Sequence, residues 1–218
     1  MQIPPKLMEQ INQIQILPDE TPEQSKKTTA EDWITWLKAQ NDGELIRGHK
    51  TLDVLHNLSD VIVKIRDTWD SHKGWFFRGC YGCGKTRLLQ TISFFKPLWI
   101  IDSKTIEDNV NANGYVTGYY TGETAFIGET GECVLTIEDL GRETDLCQVW
   151  VNGALKKINV GSEIIYRRYQ NKRKINLTSN YVDAYIEGKY GGEILSRMKE
   201  MFHEINFPNK DYRKSGGK

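Results

Sequence analysis

The chain of 218 residues is 39% hydrophobic and 27% charged, an ordinary balance for a soluble globular protein with a sizeable core. The sequence carries neither a signal peptide nor a run of about 18 apolar residues, so we expect a cytoplasmic protein that has no membrane partner. Its four cysteines include one C-x-x-C, Cys80 and Cys83, but no second pair that could complete a zinc site, and a disulfide framework is not expected.

The net charge of zero conceals segments of opposite sign. Residues 1–72 carry 8 basic and 12 acidic side chains, residues 102–145 carry 2 and 10, and residues 156–174 carry 7 and 1, so their net charges are −4, −8 and +6. A basic segment of this kind is usually a solvated helix face, and in some proteins it contacts nucleic-acid phosphates. Both interpretations stay open for its seven cations, which are Lys156, Lys157, Arg167, Arg168, Lys172, Arg173 and Lys174.

Helical patterns dominate the N-terminal third of the chain. Residues 29–32, Thr-Ala-Glu-Asp, combine an N-cap residue with acidic side chains in a first helical turn. A longer helix is predicted further on by apolar residues at helical spacing, a pattern typical of a face packed on a sheet: Leu52, Leu55, Leu58, Ile62, Ile65 and Trp69. We expect residues 1–48 to form a small helical region and residues 49–218 to form the main domain.

The stretch from Gly79 to Thr86 reads G-x-x-x-x-G-K-T, the phosphate-binding P-loop. A short buried strand is predicted before it, and a helix with a leucine-rich apolar face after it. This order directs backbone N–H groups and a helix N-terminus towards a nucleoside triphosphate. Lys85 is placed to reach the β- and γ-phosphates, and Thr86 to offer its hydroxyl to Mg²⁺. The predicted nucleotide contacts are Gly79, Gly82, Cys83, Gly84, Lys85, Thr86 and Arg87.

A second buried strand is predicted at residues 97–102, and a segment of different character follows it. Residues 104–132 are punctuated by glycines and aromatic side chains, which favours a hairpin or an ordered loop over a helix. Exposed tyrosines in such a segment could stack on nucleobases, although aromatic residues more often belong to a strand.

Two carboxylates, Glu138 and Asp139, follow a continuous apolar run about 50 residues after the P-loop. Acidic side chains at the carboxyl end of such a strand have a defined use in nucleotide hydrolysis. The first holds Mg²⁺ directly or through water, and the second orients and activates the attacking water. The sequence therefore predicts Glu138 as a metal ligand and Asp139 as the catalytic carboxylate.

The last third of the chain adds a predicted helix at residues 162–172 and a predicted strand at residues 174–180. If this strand lies between the P-loop strand and the acidic strand, Asn180 or Thr178 emerges beside the γ-phosphate. Two arginines follow, Arg197 within Ser-Arg-Met and Arg213 within Asp-Tyr-Arg.

Taken together, these motifs resemble the ATPase domain of the DnaC-type bacterial helicase loaders, which are related to the DnaI loaders and the IstB transposition helpers within the AAA+ class. The resemblance covers residues 70–214 and rests on the P-loop, the acidic pair and three later tripeptides, Thr178-Ser179-Asn180, Ser196-Arg197-Met198 and Asp211-Tyr212-Arg213. It implies an α/β fold of the AAA+ P-loop type, with a central parallel sheet flanked by helices and a small helical region before it.

The resemblance also implies roles for particular residues, with ATP and Mg²⁺ as cofactors. Asn180 would be the sensor-1 contact to the attacking water and the γ-phosphate. Arg197 would be an arginine finger that reaches the site of a neighbouring copy, and Arg213 the sensor-2 contact to the nucleotide. The implied partners are a DnaB-type replicative helicase, held by residues 1–48, and single-stranded DNA, which the cations at residues 167–174 would meet.

Three alternatives stay open. A transposition helper is the alternative within the same class, and a P-loop small-molecule kinase is one from a different class. The kinase is disfavoured because no arginine-rich lid follows the P-loop and because the acidic strand end suits a water nucleophile. The third is a nucleotide-gated binding module that hydrolyses little ATP, which the intact acidic pair disfavours.

Overall fold

A computed structural model describes residues 29, 31–32, 34–35, 58–128, 131–151 and 153–212. Most of the expected N-terminal region lies outside these described residues, and so does Arg213. No helix among the described residues is long and apolar enough to span a bilayer.

Helices and strands are interspersed along the described chain. The first half contains α1 (Ser59–Asp67), β1 (Gly74–Arg78), α2 (Lys85–Ile92), β2 (Leu98–Asp102), α3 (Ser103–Asn113), α4 (Gly118–Thr121), β3 (Ile127–Gly128) and β4 (Gly131–Glu132). The second half contains β5 (Val134–Glu138), β6 (Cys147–Val151), β7 (Ala154–Ile158), α5 (Val160–Gln170), β8 (Ile175–Ser179), α6 (Asp183–Tyr190), α7 (Gly192–Met201) and β9 (Phe202–Asn206).

The central sheet has five parallel strands in the order β2–β5–β8–β1–β9. Its inner strands are buried along almost their whole length, as expected when helices cover both faces of a parallel sheet. Strand β8 lies between the P-loop strand and the acidic strand, so the carboxyl ends of all three meet at one edge. The expected α/β fold with a central parallel sheet is therefore confirmed.

A buried amide fixes the position of β8. Asn176 is only 1% exposed, and its Oδ1 accepts a hydrogen bond from the backbone N–H of Trp75 at 3.0 Å. Its Nδ2 donates to Thr136 Oγ1 at 3.1 Å. Trp75 belongs to β1 and Thr136 to β5, so one side chain is satisfied only when β8 has both of these neighbours.

Side chains of β1 alternate between two apolar clusters, one on each face of the sheet. Trp75 and Phe77 pack with α1 and α2, whereas Phe76 packs on the opposite face with α3, α5 and α7. The helix expected from the apolar stripe is confirmed where the structure describes it, because Ile65 and Trp69 are buried against the sheet.

The expected N-cap is also confirmed. Thr29 N donates to Asp32 Oδ2 at 2.8 Å, and Asp32 N donates to Thr29 Oγ1 at 3.2 Å. This reciprocal pair has the geometry of a capping box, and residues 31, 32, 34 and 35 are helical.

The expectation of a hairpin or loop over residues 104–132 is wrong for about half of that segment, which is helical. Helix α3 occupies its first third, because Asp102 caps the helix by accepting from Thr105 N at 3.0 Å and Gly114 ends it in the left-handed conformation. Only β3 and β4 form a small antiparallel pair. Tyr120 is buried and stacks on Trp99 with ring centroids 5.2 Å apart, so it offers no free face to a base.

The basic segment contains a buried cation. Arg168 is 6% exposed, and desolvation by burial lowers its pKa to about 10, which leaves it protonated at neutral pH. Its three guanidinium nitrogens each donate to a backbone carbonyl, at 2.6 to 2.8 Å: Tyr119 O, Tyr120 O and Lys174 O. Arg168 therefore holds the end of α5 against α4.

Other cations of the same segment are also engaged within the chain. Arg167 pairs with Glu163 at 2.8 Å, and Arg173 pairs with Glu132 at 3.0 Å. Lys174 donates to a backbone carbonyl at 2.7 Å. These contacts correct the picture of an entirely solvated basic face, because most of these charges have structural partners.

We expect Arg168→Ala to lower the free energy of unfolding by at least about 3 kcal/mol, because several charge-assisted hydrogen bonds are lost at a buried position. Arg167→Ala removes an exposed ion pair one residue away and should change the stability by less than about 1 kcal/mol. Urea denaturation of both variants measures the difference. Equal losses would contradict the structural role of Arg168.

Candidate active site

The P-loop joins β1 to α2 at the carboxyl edge of the sheet. Gly82 and Gly84 have φ values of 73° and 98°, in the left-handed region where a Cβ is strained. Gly84 is the N-cap of α2, and the helix begins at Lys85. The loop therefore places the unpaired N–H groups of the first helical turn around one point, as phosphate binding requires.

Lys85 lies across the loop and is nearly buried. Its Nζ donates to Gly79 O and Cys80 O, both at 2.9 Å, and to Asn180 Oδ1 at 2.6 Å. The ammonium group is thus surrounded by oxygen acceptors at the place where a P-loop holds phosphate oxygens.

The other side chains of the motif point in different directions. Cys83 is fully buried, and its burial raises the pKa of the thiol, so only its backbone can contact a nucleotide. Thr86 and Arg87 are exposed on the first turn of α2. Cys80 and Cys83 are free thiols, and the described part of the chain holds no cluster of His, Cys, Asp and Glu that could bind a metal alone.

Glu138 ends β5 next to Asp102 in the register of the sheet. Desolvation by burial raises the pKa of its carboxyl, and the nearby charges of Asp139 and Asp102 act in the same direction. A hydrogen bond with Thr86 and the charge of Lys85 oppose this rise. Glu138 Oε1 is buried and has no hydrogen-bond partner. A carboxylate oxygen without a partner, beside a hydroxyl, fits the oxygen ligands that Mg²⁺ prefers when phosphates complete its shell.

Asp139 is held in a left-handed conformation, with φ of 52°. Its N–H donates to Thr178 Oγ1 at 2.9 Å, and its carbonyl accepts from Ser103 Oγ at 2.9 Å. On the side chain, Oδ1 accepts from Asn180 Nδ2 at 3.0 Å and Oδ2 pairs with Arg142 at 2.9 Å. Backbone and carboxylate are therefore both fixed at the sheet edge.

Asn180 connects the two halves of the site. Its amide oxygen accepts from Lys85 and its amide nitrogen donates to Asp139. A continuous series of contacts thus runs from the P-loop cation to the predicted catalytic carboxylate, and the structure brings Lys85, Thr86, Glu138, Asp139 and Asn180 together as the sequence analysis expected.

The two late arginines are placed differently. The Arg197 guanidinium lies 4.6 Å and 4.7 Å from the ring centroids of Tyr166 and Tyr169, and Nη2 donates to Glu193. It is therefore engaged between α7 and α5, away from the contacts of Lys85 and Asp139. Arg213 lies outside the described residues, but the preceding Tyr212 donates from its N–H to Gly82 O at 3.1 Å, so this segment reaches the P-loop.

Sequence reasoning missed two residues that shape the site, Ser103 and Arg142, and it placed Thr178 at this edge without its contact with Asp139. Ser103 and Thr178 position the backbone of Asp139, and Arg142 pairs with its carboxylate. Polar side chains at the carboxyl ends of otherwise apolar strands were the only available signal, and for Arg142 the sequence offered none beyond its nearness to the acidic pair.

The comparisons with known proteins find that this chain is similar to solved structures. No family model matches the chain, and no curated protein matches it. The structure of the DnaC helicase loader matches with a TM-score of 0.50 and 20% identity, over 70% of this chain and 90% of that chain.

Two further solved structures match less well. AMPPCP-bound DnaA from Aquifex aeolicus has a TM-score of 0.47 and 13% identity over 73% of this chain and 49% of that one. NtrX from Brucella abortus in complex with ATP has a TM-score of 0.44 and 15% identity over 84% and 44%. The strand order of the sheet and the likeness to the DnaC loader together confirm, at the level of fold, the resemblance seen in the motifs: this chain has the AAA+ P-loop fold.

Proposed function

We propose that the protein is a Mg²⁺-dependent ATPase of the AAA+ type that acts in the cytoplasm during DNA replication, as a loader of a replicative helicase onto single-stranded DNA. The observation that carries the ATPase part is the series of contacts Lys85–Asn180–Asp139 at the mouth of the P-loop. Ion pairs with only a structural role have no reason to lie beside a P-loop.

In this proposal the P-loop holds the triphosphate. Lys85 exchanges its contacts with Gly79 O and Cys80 O for phosphate oxygens, and the N–H groups at the start of α2 supply the remaining donors. Thr86 and Glu138 Oε1 are the groups that would hold Mg²⁺, which when bound neutralises charge on the phosphates.

Asp139 is the proposed base for the attacking water, and Asn180 orients the water and the γ-phosphate. Both carboxylate oxygens of Asp139 already accept a contact, from Asn180 and from Arg142. Each carboxylate oxygen has a second lone pair, so a water can donate to Asp139 while both contacts are kept, and these contacts hold the carboxylate in one orientation.

The loader role rests on the motif resemblance, which the fold supports. Residues 1–48 would hold the helicase, Arg213 would contact the nucleotide, and Arg197 would complete the site of a neighbouring copy. An IstB-like transposition helper would use the same ATPase machinery with a different partner. Capture of the host replicative helicase in the presence of ATP and of ADP separates the two roles.

We expect Lys85→Ala to weaken ATP binding by more than about 100-fold, because each lost charge-assisted hydrogen bond to a phosphate is worth about 1.5–3 kcal/mol. Lys199→Ala, at an exposed lysine of α7, is the matched control and should bind normally. Titration with a fluorescent ATP analogue measures both. Tight binding by Lys85→Ala would remove the basis of the proposal.

We expect Asp139→Asn to bind ATP within a few-fold of the wild type yet to lower kcat by about 10²–10⁴-fold, because an amide cannot accept the proton of the attacking water. Glu138→Gln should instead raise the Mg²⁺ concentration needed for binding. Single-turnover hydrolysis and a Mg²⁺ titration separate the two effects, and the opposite pattern would show that the roles of the two acids are interchanged.

Arg197→Ala should bind ATP almost normally and hydrolyse it slowly, because a finger acting on a neighbour stabilises only the transition state. Mixing it with Lys85→Ala should restore part of the activity, since some interfaces then combine an intact P-loop with an intact arginine. The rescue should increase with protein concentration. If two folded variants show no rescue at any ratio, Arg197 only fastens α7 to α5.

A further inference from the structure

The hairpin β6–β7 was not predicted from the sequence, and its two faces differ sharply. Side chains of an antiparallel pair alternate, so Cys147 and Val149 share the face that packs into the core, where both are buried. The opposite face carries Trp150 and Leu155, which are direct cross-strand partners. They are 62% and 52% exposed.

This solvent face combines aromatic, apolar and basic groups. Lys157 pairs with Gln148 in the register of the hairpin, which places it on the same face as Trp150. The side chains of Lys156 and Lys157 are exposed, and neither has an ion pair within the described part of the chain. By contrast Asp145, just before the hairpin, pairs with Lys189 at 2.9 Å.

A second exposed aromatic ring lies next to the hairpin. The backbone N–H of Trp150 donates to Gly114 O at 2.6 Å. Tyr115, which follows Gly114, is one of the exposed aromatic residues. The hydrogen bond fixes the hairpin against the end of α3. The exposed ring of Trp150 thus lies on the same hairpin face as Lys157, which has no ion pair among the described residues, and Tyr115 follows the residue that this hydrogen bond engages.

We propose that this face, formed by Trp150, Leu155 and Lys157 together with the exposed Tyr115 of the adjoining segment, binds single-stranded DNA. Proteins that bind single strands combine aromatic platforms for unstacked bases with cations for the phosphates, and a β-surface is well suited to present them. A purely apolar protein partner would leave Lys157 without a complement. The inference rests on the DNA-dependent role proposed above, and it assigns the contact to the hairpin rather than to the cations at residues 167–174, most of which are already paired.

Fluorescence anisotropy with a labelled dT oligonucleotide tests the stacking contact; a length of about 20 nucleotides exceeds the roughly 4–16 that comparable single-strand sites cover. Trp150→Ala should weaken the Kd about 5- to 150-fold, the range that corresponds to loss of one stacked base. Trp150→Phe should recover part of the affinity, because it keeps an aromatic ring. Thermal unfolding verifies that each variant is folded.

Lys156 and Lys157 provide a matched pair of variants that tests the phosphate contact. The two lysines lie on opposite faces of the hairpin, and replacing either one removes the same charge. Lys157→Gln should reduce the slope of log Kd against log salt by about 0.7, the value for one contact with a single strand. Lys156→Gln should change the slope by clearly less. Equal effects would show a general loss of positive charge and would overturn the proposed geometry.

Other outcomes of these experiments distinguish a failure of the hairpin proposal from a failure of the proposed function. If the wild-type protein binds dT and Trp150→Ala leaves both affinity and salt slope unchanged, the hairpin proposal alone fails; loss of helicase capture by that variant would then identify a protein-docking face. If the wild type binds ATP but no single strand, the DNA role itself fails. Duplex DNA that competes as well as dT, or binding of an rU oligonucleotide alone, would also overturn the assignment.

Discussion

The buried amide of Asn176 is the constraint on which the active site depends. Because its oxygen is satisfied by β1 and its nitrogen by β5, no other order of these three strands leaves it fully hydrogen-bonded. An unsatisfied amide at this depth costs about 1–3 kcal/mol, a large part of a typical stability. A contact in the middle of the sheet therefore fixes which side chains meet at its edge, a few residues further along each strand.

Charge at that edge is partly offset locally. Asp102 and Glu138 are neighbours in the register of the sheet, Asp139 follows Glu138, and the cations Lys85 and Arg142 offset part of the charge. Elsewhere among the described residues, the use of a cation follows from its surroundings rather than from the local density of basic residues. Within the basic segment 156–174, Arg167, Arg168 and Arg173 have structural partners, whereas the hairpin lysines have no ion pair in the described part of the chain.

The sequence allowed the side chains of the candidate site to be placed at one edge of the sheet, because the P-loop and the acidic pair are local motifs whose spacing constrains their geometry. It also allowed Asn180 to be placed conditionally, on a strand order that only the folded chain could establish. The contacts of Ser103, Arg142 and Thr178 with Asp139 could not be predicted, because they join segments distant in sequence or depend on one residue's backbone conformation.

One secondary-structure prediction was partly wrong, and one hairpin was missed. In residues 104–132 the glycines were interpreted as loop signals, although Gly114 ends a helix that Asp102 begins. The hairpin β6–β7 did have a signal, Asn152-Gly153 between two alternating runs, which is the strongest short-range indication of such a turn. No sequence signal indicated that Arg168 is buried, because its acceptors come from a helix far away in the chain.

The occupied state of Lys85 has a consequence for how the protein responds to its ligand. Since its ammonium group already has three oxygen partners, the proposed nucleotide binding would be an exchange of partners, and the affinity would be the difference between two sets of contacts. The third partner, Asn180, keeps its contact with Lys85 in that proposal, and its amide nitrogen holds Asp139. A triphosphate that displaces Lys85 would therefore also shift the amide that positions the carboxylate, before any bond is cleaved.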